Sequence, residues 1–475
     1  MRSHAPNSAA RRHFLSRARA LGVAGAASGW AMNLAAIGEA AAFDATDYKA
    51  LVCVFLYGGN DFHNTIVPYD SASHTAYSTI RGGTTGIAID RTALAASALV
   101  PTVALPGGRQ YALAPGMAPL LPLFDAGKMA VQLNVGPLVQ PVTRAQYDAR
   151  NVPLPPKLFS HNDQQSVWQA SAPEGATVGW GGKMGDLALS SNAGASLFTC
   201  ISATGQSVML SGSQALAYQI GTGGATAING AKNAFAGSTA VRDAVNELMK
   251  RTGTHLMEAD YAAVVTRSQT AEQTVTAALA GVPASGFTRF DPTVNTALAT
   301  QLTGNTLADQ MRIVARLIAA RSTLGTKRQV FLVSLGGFDH HDYLMTQHPT
   351  QIGRVAAAMR AFHDTTVDLG VADRVVAFTA SDFGRTLTSN GDGSDHGWGS
   401  HHWLVGGPVA GRAIYGTAPP IEVNGTQDVG SGRLIPTTSV DQYGASLASW
   451  FGVAAGELST VFPNIGNFSG RPAFL

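Results

Sequence analysis

The sequence predicts an α/β fold: a doubly wound, mostly parallel sheet sandwiched by helices. Three nearly continuous apolar runs, residues 51–61, 329–341 and 374–386, have the composition of strands that are buried on both faces. Segments 307–321 and 352–370 repeat their apolar residues at helical spacing, one before the second run and one before the third. This alternation of helix and strand is typical of a parallel sheet covered by helices.

Each of the three runs contains an aspartate at or near its end. The first reaches Asp61 and the second Asp339, each shortly after a pair of glycines, and the third reaches Asp382. Parallel strands bring their carboxyl ends to one edge of the sheet, where doubly wound folds bind their ligands. We therefore expect these three carboxylates at one edge, with the glycines allowing a close approach of the backbone.

Histidines are concentrated near the second and third of these aspartates. Six of the eleven histidines that follow residue 42 are His340, His341, His348, His396, His401 and His402. Carboxylates and imidazoles that converge at one sheet edge repel or lose solvation unless a positive charge lies between them. The sequence therefore predicts a divalent metal ion: Asp/His ligation suits Zn, Mn or Fe, and Mg or Ca would fit if carboxylates dominate. We expect the second strand to provide Asp339 and one histidine to it.

Several short motifs occur together in a fixed order: GGND at 58–61, FSH at 159–161, GGFDHH at 336–341 and SDFGRT at 381–386. With them the chain resembles an exported family that is named only as a domain of unknown function. That family carries twin-arginine signals and is placed near the sulfatases, within the alkaline-phosphatase-like superfamily. The resemblance covers most of the chain after the signal. It implies a hydrolase of phosphate or sulfate esters with a metal site at the carboxyl edge of the sheet.

The resemblance also implies a set of metal ligands. The matching positions are an aspartate after an early strand, an aspartate with a nearby histidine, a Ser-Asp pair and a last histidine: Asp61, Asp339, His341, Asp382 and His396. Phe383 stands where the superfamily has a second ligand after the Ser-Asp pair, usually His or Asn. This departure puts a complete two-metal site in doubt.

The superfamily places its nucleophile near a helix N-terminus, where the helix dipole and free N–H groups favour an anion. Ser160 opens a predicted helix after the predicted strand at 129–135, and a simple capping role with Asp163 is the equal alternative. Thr65, close behind Asp61, is the second candidate. Neither cysteine lies in the pattern that a sulfatase modifies, which disfavours a standard sulfatase.

Three further residues near these motifs have open roles. Arg385 is a candidate clamp for the substrate oxygens, and a salt bridge to a neighbouring acid is the alternative. His161 is a candidate ligand or proton shuttle, although a hydrogen-bonded structural histidine is favoured. His63 could contact substrate or lie on the surface.

The N-terminal residues have the pattern of a twin-arginine export signal. Arg11-Arg12 precedes a weakly apolar stretch from about residue 20 to 37, and small residues close it at 40–42. A membrane anchor is disfavoured because a span requires about 20 strongly apolar residues. We expect a domain over 43–475, exported in folded form by the twin-arginine machinery to the periplasm or medium, without a transmembrane segment. Within it, residues 189–306 are predicted to form a helical insertion or lid.

Charge composition narrows the class of partner. Without residues 1–42 the chain keeps 27 basic and 29 acidic side chains, so no basic face predicts binding to nucleic acid. The expected partner is a small anionic ester. The alternative function is a catalytically degenerate binding or assembly protein on the same fold, which the phenylalanine at position 383 and the uncertain nucleophile would favour.

Overall fold

The computed structural model describes residues 45–83, 86–253 and 255–475, which belong to one unit. The predicted export signal over residues 1–42 lies outside these residues. The strands are β1 (Lys49–Leu56), β2 (Ile66–Pro68), β3 (Tyr111–Leu113), β4 (Met129–Gly136), β5 (Cys200–Ser202), β6 (Ala217–Gln219), β7 (Arg328–Leu335), β8 (Val375–Ser381), β9 (Ser400–Gly406), β10 (Ala413–Tyr415) and β11 (Thr438–Ser439).

The described residues also contain fifteen α-helices. They are α1 (Ser71–Arg81), α2 (Arg91–Leu94), α3 (Leu121–Asp125), α4 (Arg144–Ala149), α5 (His161–Ala170), α6 (Trp180–Asn192), α7 (Asn229–Lys232), α8 (Thr239–Lys250), α9 (Leu256–Ala280), α10 (Ala299–Leu302), α11 (Thr306–Ala319), α12 (Arg321–Leu324), α13 (Leu344–Asp368), α14 (Val440–Phe451) and α15 (Leu458–Val461).

Nine of these strands form one mixed, mostly parallel sheet in the order β10-β4-β9-β8-β1-β7-β5-β6, with β11 pairing with β4. Among its described strands, β9 alone runs antiparallel to its neighbours β4 and β8. The three apolar runs of the sequence are β1, β7 and β8, and they lie side by side. This confirms the predicted α/β class with a mostly parallel sheet, whereas the alkaline-phosphatase-like assignment remains a prediction.

The register of the central strands shows where their carboxyl ends meet. Leu56, the last residue of β1, pairs with Leu335 at the end of β7 and with Ser381 at the end of β8. Strand β9 enters the sheet at the same edge, because Ser400 pairs with Val135 near the end of β4. The loops after β1, β7 and β8, and the loop before β9, therefore meet along one edge.

Both faces of the sheet are covered, which is why its central strands are apolar throughout. Val52 and Val54 of β1 belong to a core shared with α11 and α13. Leu51, Cys53 and Phe55 face the other way, into a core shared with α5, α6 and α14. All five side chains are fully buried, as expected of a strand between two helical layers.

Residues 189–306, predicted as a helical insertion or lid, contain two long helices, α8 and α9. They also contain β5 and β6, which extend the central sheet beyond β7. Helix α9 buries Ala271, Val275 and Leu279 in the same core as α11. Part of the segment therefore belongs to the sheet and part to a helical layer. No helix within the described ranges is long and apolar enough to cross a membrane.

Candidate metal centre

Three imidazoles converge on the carboxylate of Asp339, just beyond β7. Asp339 Oδ1 lies 3.1 Å from Nε2 of His341 and 3.2 Å from Nε2 of His396. Its Oδ2 lies 3.4 Å from Nε2 of His161. The side chain of Asp339 is 44% exposed, so the group opens to solvent. We call these four residues the Asp339 cluster.

The cluster is assembled from three loops at the carboxyl edge. Asp339 and His341 come from the loop after β7, and His161 is the first residue of α5. His396 lies between β8 and β9, where it forms an isolated β-bridge with Arg385. A Cβ at Gly58, after β1, would lie 2.5 Å from the backbone nitrogen of Asp339. The glycine therefore lets the two strand ends approach each other.

Each imidazole of the cluster has an oxygen acceptor at its other ring nitrogen. The Nδ1 partners are Asp382 Oδ2 for His161 (2.7 Å), Asp395 Oδ1 for His341 (3.1 Å) and the backbone carbonyl of Phe159 for His396 (2.8 Å). Carbonyl and carboxylate oxygens accept, so Nδ1 donates in each pair. A neutral ring then presents the lone pair of Nε2 to the carboxylate of Asp339.

Electrostatics at the centre of the cluster call for a cation. The Nε2 atoms of His341 and His396 are 2.9 Å apart, and each is close to the same carboxylate oxygen. Lone pairs at this distance repel unless a proton or a metal ion lies between them. Donor atoms bound to one ion by bonds of about 2.0–2.2 Å lie roughly 3–3.5 Å apart, which is close to the spacing here.

Among the described residues, His161, Asp339 and His396 form the group whose ligand atoms all lie within 4.8 Å of one another. The hydrogen bond to Asp382 raises the pKa of His161, whereas burial lowers the pKa of His396. Burial acts to raise the pKa of Asp339, but the charge and hydrogen bond of Arg385 outweigh it and hold that pKa low. An ionised carboxylate between imidazoles suits a divalent metal ion.

Phe383, which the sequence resemblance aligns with the position of a second metal ligand, forms a wall of the cluster. Its ring centroid lies 4.8 Å from that of His161 and 4.6 Å from that of His396. A Cβ at Gly59 would come within 2.4 Å of this ring, and the φ of Gly59 is +81°. Phe383 thus restricts both imidazoles, and the glycine makes room for it.

Asp382, predicted as a metal ligand, contacts the cluster through His161 and is not one of its four residues. Its Oδ2 accepts from His161 Nδ1 (2.7 Å), from Gln165 Nε2 (2.7 Å) and from the backbone N–H of Gly58 (3.1 Å). The residue is fully buried. Asp382 therefore orients His161, which is a common arrangement around metal-binding histidines.

Asp61, the other predicted strand-end ligand, has a different set of partners. Its Oδ2 accepts from Arg81 Nη2 at 2.5 Å and from Ser394 Oγ at 3.0 Å, and its Oδ1 accepts from the backbone of Asn64. Both Asp61 and Arg81 are fully buried. Burial raises the pKa of Asp61, but the charge of Arg81 outweighs it and lowers that pKa well below its usual value. The structure does not bring Asp61 into the cluster.

Arg385 lies behind Asp339. Its Nη2 donates to Asp339 Oδ1 at 2.6 Å and to the carbonyl of Phe338 at 3.3 Å, and its side chain is fully buried. This is the salt bridge that the sequence left open as the alternative to a substrate clamp. The clamp remains a prediction, while the observed contact positions the carboxylate of Asp339.

The two candidate nucleophiles lie in different surroundings. Ser160 is the N-cap residue of α5, yet its hydroxyl donates to Asp163 Oδ2 at 3.0 Å and does not cap the helix backbone. Lys157 Nζ lies 3.5 Å from the other oxygen of Asp163. Thr65 is fully buried and donates to the carbonyl of Asp61 at 2.8 Å. Ser160 is therefore next to the cluster, beside His161, and Thr65 is enclosed.

Sequence reasoning favoured a structural role for His161 and gave none to Asp395 or to the carbonyl of Phe159. The FSH motif carried the signal for His161, because a residue that opens a helix after a strand can face the carboxyl edge. Phe159 has a φ of +72°, a left-handed conformation that costs roughly 1–2 kcal/mol for a residue with a side chain. This conformation directs the carbonyl of Phe159 toward His396. Nothing in the sequence indicates it.

A family model described as "Protein of unknown function (DUF1501)" matches residues 48–456. The matched segment contains all four residues of the Asp339 cluster and their Nδ1 partners. A comparison with curated proteins finds no match.

Proposed function

The chain belongs to this family of unknown function, and for it we propose divalent-metal-dependent hydrolysis of phosphate or sulfate esters. The single observation that carries the proposal is the convergence of three Nε2 atoms on one half-exposed carboxylate at the carboxyl edge of the sheet. Doubly wound folds bind ligands at this edge. His161, Asp339 and His396 would hold the ion. A divalent ion bound there would act as a Lewis acid toward an ester oxygen.

Ser160 is the proposed nucleophile, with Asp163 as its proton acceptor. The hydroxyl of Ser160 already donates to the carboxylate of Asp163, which is almost fully buried and close to the ammonium group of Lys157. Ser160 also stands at the N-terminus of the ten-residue helix α5, where backbone N–H groups favour an anionic ester. Proton transfer to Asp163 would make the serine oxygen a stronger nucleophile.

Export by the twin-arginine pathway to the periplasm or medium remains part of the proposal, supported by Arg11-Arg12 and the apolar stretch after it. Replacing both arginines with lysine in the full chain should retain the protein in the cytoplasm, as measured by cell fractionation. Unchanged export of this variant would contradict the assignment.

A second candidate function is a binding or assembly protein on the same fold. The observation that favours it is the complete burial of Arg385, which already donates to Asp339 and so offers no exposed clamp to a substrate. This candidate allows a metal ion that only braces the loops, and it predicts no turnover of any ester.

Elemental analysis and an ester screen on the folded domain test the proposal. We expect about one equivalent of a divalent metal ion and metal-dependent cleavage of p-nitrophenyl phosphate or sulfate. Asp339→Asn should lose both the metal and the turnover, whereas Asp342→Asn, an exposed neighbour, should keep both. Wild-type turnover in Asp339→Asn would refute the proposal. A metal-loaded protein that cleaves no ester would favour the binding-protein candidate.

A further inference from the structure

We infer that the Asp339 cluster is a nitrogen-rich site of four ligands, which includes His341 and selects a zinc-like transition metal ion over magnesium and calcium. The inference shares the metal centre of the proposed function but does not depend on ester hydrolysis. It rests on which atoms face the centre and on where the neighbouring carboxylates are already bound.

His341 completes the ligand set. Its Nε2 is 3.1 Å from Asp339 Oδ1 and 2.9 Å from His396 Nε2, so it lies as close to the carboxylate of Asp339 as the other two imidazoles do. Its Nδ1 donates to Asp395, which leaves the Nε2 lone pair for a cation. The close approach of two imidazole lone pairs is unfavourable unless a proton or a metal ion lies between them, and one ion bound by both would satisfy both. Three nitrogens and one carboxylate therefore face the centre.

The neighbouring carboxylates add few oxygens to the site, because each already has other partners; of Asp382, Oδ1 alone is buried without a hydrogen-bond partner among the described residues. Asp61 is bound by Arg81, and Asp382 accepts three hydrogen bonds on one oxygen, including that from His161. Asp395 accepts from His341 and from Asn390. Magnesium and calcium prefer oxygen ligands, whereas imidazole suits zinc, iron, copper and nickel. One carboxylate among three imidazoles therefore favours the second group.

Asp395 is a positioning residue for this site. Its Oδ1 also accepts from Asn390 Nδ2 at 2.8 Å, and its backbone N–H donates to Thr386 Oγ1 at 3.0 Å. These contacts fix the carboxylate that holds the ring of His341. Loss of such a partner to a metal-binding histidine costs about 10- to 100-fold in metal affinity.

Cobalt(II) is the probe that tests the inference, because its visible absorption is strong in four-coordinate sites with nitrogen ligands and weak in six-coordinate oxygen sites. Titration of the metal-free protein should give the strong absorption, and one equivalent of zinc should remove it. A large excess of magnesium or calcium should leave it unchanged. Displacement of cobalt by magnesium or calcium at comparable concentration would overturn the inference.

Three variants locate the ligands by the same absorption. His341→Gln should weaken the band strongly, and Asp395→Asn should keep its shape while lowering cobalt affinity by about 10- to 100-fold. Asp342→Asn, exposed and next in sequence to His341, should behave as the wild type. An unchanged band and affinity in His341→Gln would remove it from the ligand set. If His341→Gln fails to fold, Asp395→Asn decides the question. An unchanged cobalt affinity in Asp395→Asn would show that Asp395 does not position the ring of His341, and it would overturn the ligand role of His341 as well.

The two proposals fail in different ways. A protein that binds zinc through these four residues and cleaves no phosphate or sulfate ester would refute the proposed function and leave this inference standing. Ester cleavage that depends on magnesium, with no zinc bound, would refute this inference and leave the proposed function standing.

Discussion

Two aspartates that follow neighbouring central strands differ in their burial and in the side chains that contact them. Asp61 follows β1 and is fully buried against Arg81, whereas Asp339 follows β7, is 44% exposed and faces three imidazoles. Both come after a pair of glycines at the same edge of the sheet. The position after a strand therefore does not decide whether a carboxylate belongs to the site. The side chains that fold over it do.

Arginines contact both carboxylates, but they leave different atoms available. Arg81, the last residue of α1, contacts Asp61 Oδ2 together with Ser394, and the backbone of Asn64 takes Oδ1. Arg385 contacts Asp339 through Oδ1 and leaves Oδ2 facing His161. Asp61 is thus enclosed in a structural ion pair with Arg81, while Asp339 keeps one oxygen that can bind a metal ion.

Asp61→Asn should have the largest effect on stability. Removing one partner of a buried ion pair leaves an uncompensated charge, here that of Arg81, and lowers the free energy of unfolding by about 3–5 kcal/mol. Metal content should not change. Chemical denaturation and elemental analysis measure the two effects. A second substitution, Arg81→Met, should recover part of the lost unfolding free energy. If Asp61→Asn instead lost metal and kept its stability, Asp61 and not Asp339 would be the metal-binding aspartate.

Acid should remove the same contribution in the wild type. Because the folded-state pKa of Asp61 is held below the unfolded value of about 3.9, the ion pair stabilises the fold fully at higher pH. Its contribution is lost as the pH falls below about 4 toward the folded-state pKa. The difference in unfolding free energy between wild type and Asp61→Asn should stay constant from about pH 8 to 5 and then shrink. A difference that grew on acidification would contradict the assignment.

Asp339→Asn should show the opposite pattern to Asp61→Asn. The amide keeps an oxygen for Arg385 but loses the charge, so the metal-free protein should lose about 1.5–3 kcal/mol, the value of a hydrogen bond to a charged group. The loss of bound metal should exceed the roughly 10- to 100-fold that follows removal of an outer partner. Denaturation without metal and equilibrium dialysis measure the two effects. A stability loss as large as that of Asp61→Asn would erase the distinction.

The fold was largely predictable because the central strands are apolar on both faces, a pattern that few other structures produce. Helix boundaries were harder to predict. The expected helix at 352–370 begins at Leu344, eight residues earlier, with Pro349 near its start. Strands β5 and β6 were missed because they are only three residues long and lie in a segment rich in small residues.

The site was predictable only in part. Asp339, His341 and His396 were named from their motifs, and the structure brings them together. Sequence could not separate Asp61 from Asp339, because the arginine that encloses Asp61 comes from a helix twenty residues further along the chain. Which ring nitrogen faces the centre depends on Nδ1 partners that lie more than fifty residues away in sequence.

Asp382 provides the intermediate case and the smallest expected effect. It is fully buried like Asp61, but its hydrogen-bond partners among the described residues are His161, Gln165 and the backbone of Gly58, and none of them is an arginine. Asp382→Asn keeps an oxygen for these donors, so stability should fall less than in Asp61→Asn. Metal affinity should drop about 10- to 100-fold, because His161 loses the charged partner that holds its ring.

Dialysis against a metal-buffered solution measures the affinity, with Gln165→Met as a control that removes one donor and keeps the carboxylate. If Asp382→Asn binds metal as tightly as the wild type, the hydrogen bond from His161 to Asp382 does not contribute to metal binding. Asp382 would then have only a structural role in the buried loop after β8.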